Sequence, residues 1–139
     1  YVMQTMHNDT LESLQKRSEL LKRAERLVDG NVACVCISHA ESVAEGISYE
    51  DIHPISGFLR DCEDIKLGFT MYEEEENRWR CSFRSDGKWI NVNELLQVFG
   101  GGGHAAAAGV RKRTNDVEKF RQEILEQIVV MRKISGQDK

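Results

Sequence analysis

No stretch of this chain approaches the ~18 consecutive apolar residues that mark a membrane span, and residues 1–8 have neither the basic start nor the apolar run of a signal peptide. An excess of positive charge is also missing. Nineteen Lys and Arg face 23 Asp and Glu, a formal net charge of −4, which argues against nonspecific coating of nucleic acid, a mode that rests on many phosphate-neutralising cations. A small local anion site stays open. There is no CxxC and no histidine spaced to complete a zinc site. The four cysteines follow no spaced disulfide pattern, and Cys34 and Cys36 sit in the nearly wholly apolar run of residues 32–37, where a free thiol behaves as a small hydrophobe. A reduced, cytoplasmic setting is the simplest expectation. The chain begins at Tyr1 rather than Met, as an excised segment would, although a processed or tagged product would look the same.

What is present suits one domain: 139 residues, 40% of them apolar, suffice for a single core. Asp9 with Glu12 can form a capping box, and Leu11, Leu14, Leu21, Ala24 and Val28 recur near a helical period until Asp29-Gly30. The rest of that helix is strongly charged, so with its one apolar stripe it could connect two domains or simply pack on this one. Residues 31–37 read as a strand buried on both faces, and residues 38–49 are ambiguous. Pro54 suits the start of a short helix through Ile55, Phe58, Leu59 and Cys62. Ile65, Leu67, Phe69 and Met71 alternate with less apolar residues, giving a strand with one apolar face. Residues 73–77 read as a charged turn, and Trp79, Cys81 and Phe83 alternate in a second strand that completes a hairpin. Asn91 with Glu94 caps a helix holding Leu95, Leu96 and Phe99. The final helix starts at Asn115 and carries Val117, Phe120, Ile124, Ile128 and Met131 as its apolar stripe. Interleaved helices and strands that include a hairpin predict an α/β fold of α+β character: a mixed β-sheet with helices packed on it.

The informative stretch is residues 99–109, where four glycines precede His104, four alanines and Gly109. Ordering four glycines is costly. One return is a backbone nest of N–H groups turned towards an anion, with the alanines starting a helical turn that adds its own free N–H groups and His104 donating to a phosphate oxygen. The plain alternative is a flexible surface loop. Arg78, Arg80, Ser82 and Arg84 share one strand face because side chains alternate. Arg78 and Arg80 read as a solvated face balanced by the glutamates of residues 73–76. Arg84, with Ser85 at the strand end, is placed to grip a phosphate through two parallel hydrogen bonds.

The run Gly101-Gly-Gly-His-Ala-Ala-Ala-Ala-Gly109 resembles the GGGHxxAAG signature of the DHH-associated domain, the C-terminal part of DHH phosphoesterases. The order of Ser82-Phe-Arg-Ser85, the segment 92–99 and the glycines is most similar to the oligoribonuclease (nanoRNase) and 3′-phosphoadenosine 5′-phosphate phosphatase branch. The resemblance is specific from about residue 65 to 110, and Ala105 departs from the proline or lysine of many relatives. It implies that residues 1–30 are a helical connector to a missing N-terminal catalytic domain, and that residues 31–139 form a substrate-binding domain in which Gly101, Gly102, Gly103 and His104 contact the substrate phosphate or terminal nucleotide, assisted by Arg84 and Ser85. It further implies two divalent metals, manganese by family habit, in the preceding DHH domain, where they activate water for attack on phosphorus. The four histidines here are scattered and no DHH triplet occurs, so no metal site and no hydrolysis are expected of this chain alone. Expected partners are a short oligonucleotide or nucleotide phosphate, the protein's own DHH domain and a second copy in a homodimer, with no membrane. A non-catalytic nucleotide- or RNA-binding module, a scaffold, or a domain of a cyclic dinucleotide phosphodiesterase or RecJ-type exonuclease stand as alternatives.

Overall fold

The computed structural model describes residues 10–135. Six strands, β1 (Glu25–Leu27), β2 (Val32–Ile37), β3 (Leu67–Glu75), β4 (Arg78–Ser85), β5 (Gly102–His104) and β6 (Ala107–Arg113), form one sheet in the order β1-β2-β3-β4-β6-β5. Only the β2–β3 pair is parallel, so the sheet is mixed. A parallel pair needs a crossover, and it is supplied by α2 (His39–Glu45), α3 (Tyr49–Ile52) and α4 (Ile55–Arg60). Those helices and α1 (Leu11–Leu21) cover one face; α5 (Val92–Gln97) and α6 (Val117–Ser135) lie with the other.

The strand alternation explains the division. On β2, Val32 and Cys34 join one core while Ala33, Val35 and Ile37 join the other. On β3, Leu67, Phe69 and Met71 point to the α5–α6 side, where Phe69 stacks on Phe83 of β4 with ring centroids 4.6 Å apart. Full burial of such a side chain stabilises by roughly 1.5–3 kcal/mol. The expected single apolar face of β3 is corrected here. Leu67, Gly68, Phe69, Thr70, Met71 and Tyr72 are all buried, because β3 is a central strand with helices over both of its sides. Gly68 is required by that covering, since a Cβ there would stand 2.6 Å from Ser56 O and from Leu59 Cβ of α4.

Three further expectations change. The first helix ends at Leu21, not near Val28, because residues 25–27 pair with the free edge of β2, and tertiary hydrogen bonding overrides a helical period. Residues of the presumed connector therefore belong to this fold, and Leu20 is 1% exposed in its core. The N-cap is Thr10, whose hydroxyl accepts from Ser13 N–H at 3.0 Å; the Asp9 capping box lies outside the described residues. The charged turn is shorter than residues 73–77, for β3 runs to Glu75 through an irregularity after Glu73, and Asn77 takes a left-handed φ of 66°. The alanines form no helical turn: Ala105 and Ala106 make the turn after β5, and Ala107 and Ala108 begin β6, held between β4 and β5.

All four cysteines are free thiols, with Cys34 and Cys81 buried, Cys36 partly buried and Cys62 exposed. Burial pushes the thiols of Cys34, Cys36 and Cys81 up, that of Cys36 to about 12, so these three act as apolar filler. Among the described residues no helix is long and apolar enough to cross a membrane.

Candidate phosphate-binding cleft

Helices α3 and α4 reach β4, but α1–α4 leave β6 and β5 largely uncovered. That uncovered part of the sheet floors a cleft of ≈ 580 Å³, walled by Tyr49 and His53 on one side and by residues 100–103 on the other. The floor is built in rungs, because directly opposed residues of an antiparallel ladder stand on the same face. Arg80 faces Arg111, Ser82 faces Gly109 and then Gly102, and Arg84 faces Ala107 and then His104.

The last rung unites two of the predicted residues. Arg84 and His104 flank Ala107, two strand spacings apart, or about 10 Å at 4.8 Å per step. Arg84 is partly buried and has no ion pair or side-chain hydrogen bond among the described residues. It lies in the cleft, with Gly68 beside it on β3 and Ala107 on β6. His104 is exposed at the open end of the rung, outside the cleft lining. A bulky side chain at position 107 would close the space between the guanidinium and the imidazole.

The glycines act differently from the expected nest. Gly101 N–H donates to Leu96 O at 2.8 Å, and Gly103 N–H donates to Asn93 Oδ1 at 3.0 Å, so these amides are occupied by the protein's own acceptors. Close approach is the reason for glycine at both positions. A Cβ on Gly101 would stand 2.4 Å from Gly109 O, and one on Gly103 2.7 Å from Ala107 O. Gly100, with φ 86°, is the left-handed residue that turns the chain out of α5. The run thus lays a thin edge strand against β6 and keeps the cleft wall free of side chains.

Ser85 is not brought to the cleft. It is 0% exposed; its hydroxyl donates to Ile90 O at 2.8 Å, accepts from Gly87 N–H at 2.9 Å and lies 3.4 Å from Ala105 O. With Ser85 N–H donating to Ala106 O and Val92 N–H to Ala105 O, it fastens the β5–β6 turn and so orients His104. Arg60, whose Nη1 donates to Ser85 O at 3.2 Å, braces the same strand end.

Sequence reasoning missed Tyr49, His53 and Arg111 as cleft residues. α3 positions the first two: Ser48 and Asp51 form a reciprocal capping box, and Lys16 of α1 reaches Asp51 at 3.3 Å. Burial alone would raise the Asp51 pKa, but the N–H and hydroxyl of Ser48 and the Lys16 ammonium together hold it below the usual carboxylate range. The Tyr49 hydroxyl lies 2.9 Å from His53 Nδ1 and 3.4 Å from Ser82 Oγ, and the Arg80 guanidinium sits 3.8 Å over the Tyr49 ring. A Tyr and a His four residues apart on one short helix were the available signal. Arg78 pairs with Glu75 at 3.2 Å, in keeping with a solvated role. Among the described residues no group of three or more His, Cys, Asp or Glu is placed to hold a metal ion.

The chain that carries this mixed sheet and glycine-walled cleft belongs to the DHHA1 domain family, whose model matches residues 29–130. Over 73 residues the chain is 38% identical to the bifunctional oligoribonuclease and PAP phosphatase NrnA of Mycoplasma pneumoniae, a match covering 52% of this chain and 22% of that protein. Among solved structures, an exopolyphosphatase-related protein from Bacteroides fragilis superposes with a TM-score of 0.73 at 20% identity, covering 90% of this chain and 37% of that one. The pGpG-specific phosphodiesterase PggH of Vibrio cholerae gives 0.58 at 14% identity, covering 85% and 39%. The latter two likenesses show the fold. The chain therefore corresponds to well under half the length of each of these relatives.

Proposed function

We propose that this domain is the substrate-holding part of a DHH-family phosphoesterase that hydrolyses short oligonucleotides or nucleotide phosphates. In this reading a preceding DHH domain supplies two divalent metals, manganese being the expected pair, and the residues before β1 lead from it. The present chain binds and orients and does not cleave. The observation that supports this most directly is the Arg84–Ala107–His104 rung. An arginine without an internal partner and an exposed imidazole bracket a small residue, leaving the width for a tetrahedral anion. The guanidinium supplies two parallel donors and the imidazole a third. Partial identity to an oligoribonuclease and PAP phosphatase supports a phosphorylated nucleotide as the ligand class. Gly102 contributes by leaving room on the cleft wall.

Calorimetric titration of the 139-residue chain with a nucleoside 5′-monophosphate tests the reading. Arg84→Lys is expected to weaken binding about tenfold, near 1.4 kcal/mol, because a lysine cannot reproduce the two-pronged contact. His104→Ala is expected to weaken it several-fold with little change in thermal midpoint, as an exposed side chain supports no packing. Equal affinity in both variants would refute the assignment.

A further inference from the structure

The cleft floor has a second cationic end that the motif does not reach. Arg80 and Arg111 oppose each other on β4 and β6, while Arg84 opposes Ala107. Four residues along a strand at about 3.3 Å each separate the two ends by about 13 Å. The oxygens of one phosphate surround a single atom and cannot touch both. We propose that Arg80 and Arg111, walled by Tyr49 and His53, form a second phosphate subsite that takes a later phosphodiester of a short single-stranded oligonucleotide whose terminal phosphate lies at Arg84. This rests on the reading above, which it deepens by giving the bound chain a length and a direction along β4.

The rung between the two ends is low. Ser82 offers only a hydroxyl, which the Tyr49 hydroxyl meets at 3.4 Å, while Gly109 and Gly102 offer no side chain, so the open path for a nucleotide backbone runs over the β6–β5 side of the rung. Arg80 is preorganised: its guanidinium carbon sits 3.8 Å from the Tyr49 ring centroid, and Tyr49 is itself held by His53 and by the Tyr72 ring at 5.9 Å. A guanidinium fixed in this way loses less freedom on gripping a phosphate than a free one. Arg80 and Arg111 share one carboxylate, Glu74, at 3.6 Å and 3.4 Å. Two cations to one anion leave net positive charge, and loosely spaced, partly exposed pairs of this kind contribute little to stability. His53 Nδ1 is engaged by the Tyr49 hydroxyl, which leaves Nε2 as the ring's remaining polar atom for a ligand oxygen.

The test compares AMP with the 5′-phosphorylated trinucleotide pApApA by calorimetry on the 139-residue chain. Wild-type protein is expected to bind the trinucleotide at least about tenfold more tightly, one added charge-assisted contact being worth that order. Arg80→Gln with Arg111→Gln brings the trinucleotide-to-mononucleotide ratio close to one and lowers the salt slope for the trinucleotide by about 0.7 per lost phosphate contact on a single strand. Arg111→Gln alone, an exposed change that leaves the Arg80–Tyr49 stack in place, lowers the ratio part of the way. A ratio that survives both sets of changes, or a wild-type ratio of one, overturns the proposal. Arg84→Lys weakens both ligands together if the first reading holds. Should Arg84→Lys be silent while the double change still collapses the ratio, the terminal-phosphate assignment fails and the second subsite stands. Absence of binding to either ligand refutes both.

Discussion

Arg84, Ser85 and His104 come from the two elements of one motif, yet they do three different things. Arg84 faces the cleft, His104 stands at its mouth, and Ser85 is sealed below them, tying the β5–β6 turn to the segment after β4. The motif made all three visible in the sequence, but it could not separate a contact from a brace. Strand parity does so, since Ser85 points to the face opposite Arg84. Ser85→Ala strips a buried acceptor and donor from that turn and is expected to lower stability by about 1–3 kcal/mol, read as a fall in the denaturation midpoint. Gly101→Ala is expected to be at least as damaging, by about 1–3 kcal/mol, because its Cβ meets Gly109 O at 2.4 Å. If both variants melt with the wild type, the packing account of the glycine run is wrong.

Among the elements, the short α3 has the largest consequence for its length, for its four residues place Tyr49 and, at its C-cap, His53. It is held at its start by Ser48 and Asp51 and tied to α1 through Lys16. Asp51 has a lowered pKa in the folded chain, and the sign follows. The stabilisation is complete above the unfolded value of about 3.9 and fades as pH falls through the lower folded value. Asp86, lowered despite its partial burial by the N–H groups of Trp89 and Lys88, acts in the same acidic window, so a comparison is required. Asp51→Ala is expected to cost roughly 0.5–2 kcal/mol at neutral pH, the range for a lost cap, and to lose less than wild type on acidification below about pH 4. Equal acid sensitivity in the two proteins would remove Asp51 from the account. The sequence showed α4, α5, α6 and the β3–β4 hairpin well, since each has a cap, a stripe or an alternation of its own. It hid β1, which owes its form to the open edge of β2, and α3, a four-residue helix too short for an apolar stripe whose local Ser48–Asp51 box is braced by Lys16 from thirty-five positions away. The alanines misled for a similar reason, having a strong helical propensity that two flanking strands overrule.

At the scale of the molecule, one sheet serves two purposes. Its β2–β3 half is clothed on both faces, and its β6–β5 end is largely uncovered on the face that makes the cleft. Binding to the folded chain alone raises its stability by RT ln(1 + [L]/Kd), about 2.7 kcal/mol at a hundredfold excess over Kd. A nucleoside 5′-monophosphate at that level is therefore expected to raise the melting temperature, while manganese or EDTA leaves it in place. A metal-dependent midpoint would contradict the division of labour between this chain and a metal-bearing domain. The mixed sheet and its hairpin were legible in the alternating patterns. Which face stayed uncovered was not, because that depends on where the crossover helices end.

Glu74 gives the cleft a further property. Its carboxylate already holds the Arg80 and Arg111 guanidinium groups, so an arriving phosphodiester enters by exchange, displacing an anion that cannot diffuse away. Small monovalent anions present in any cell gain little from such a swap, whereas a chain anchored elsewhere along the strand brings its charge to the spot at high effective concentration. In the proposed subsite the tethered carboxylate would filter against background salts, and neutralising it is expected to make the domain stickier and less choosy at once.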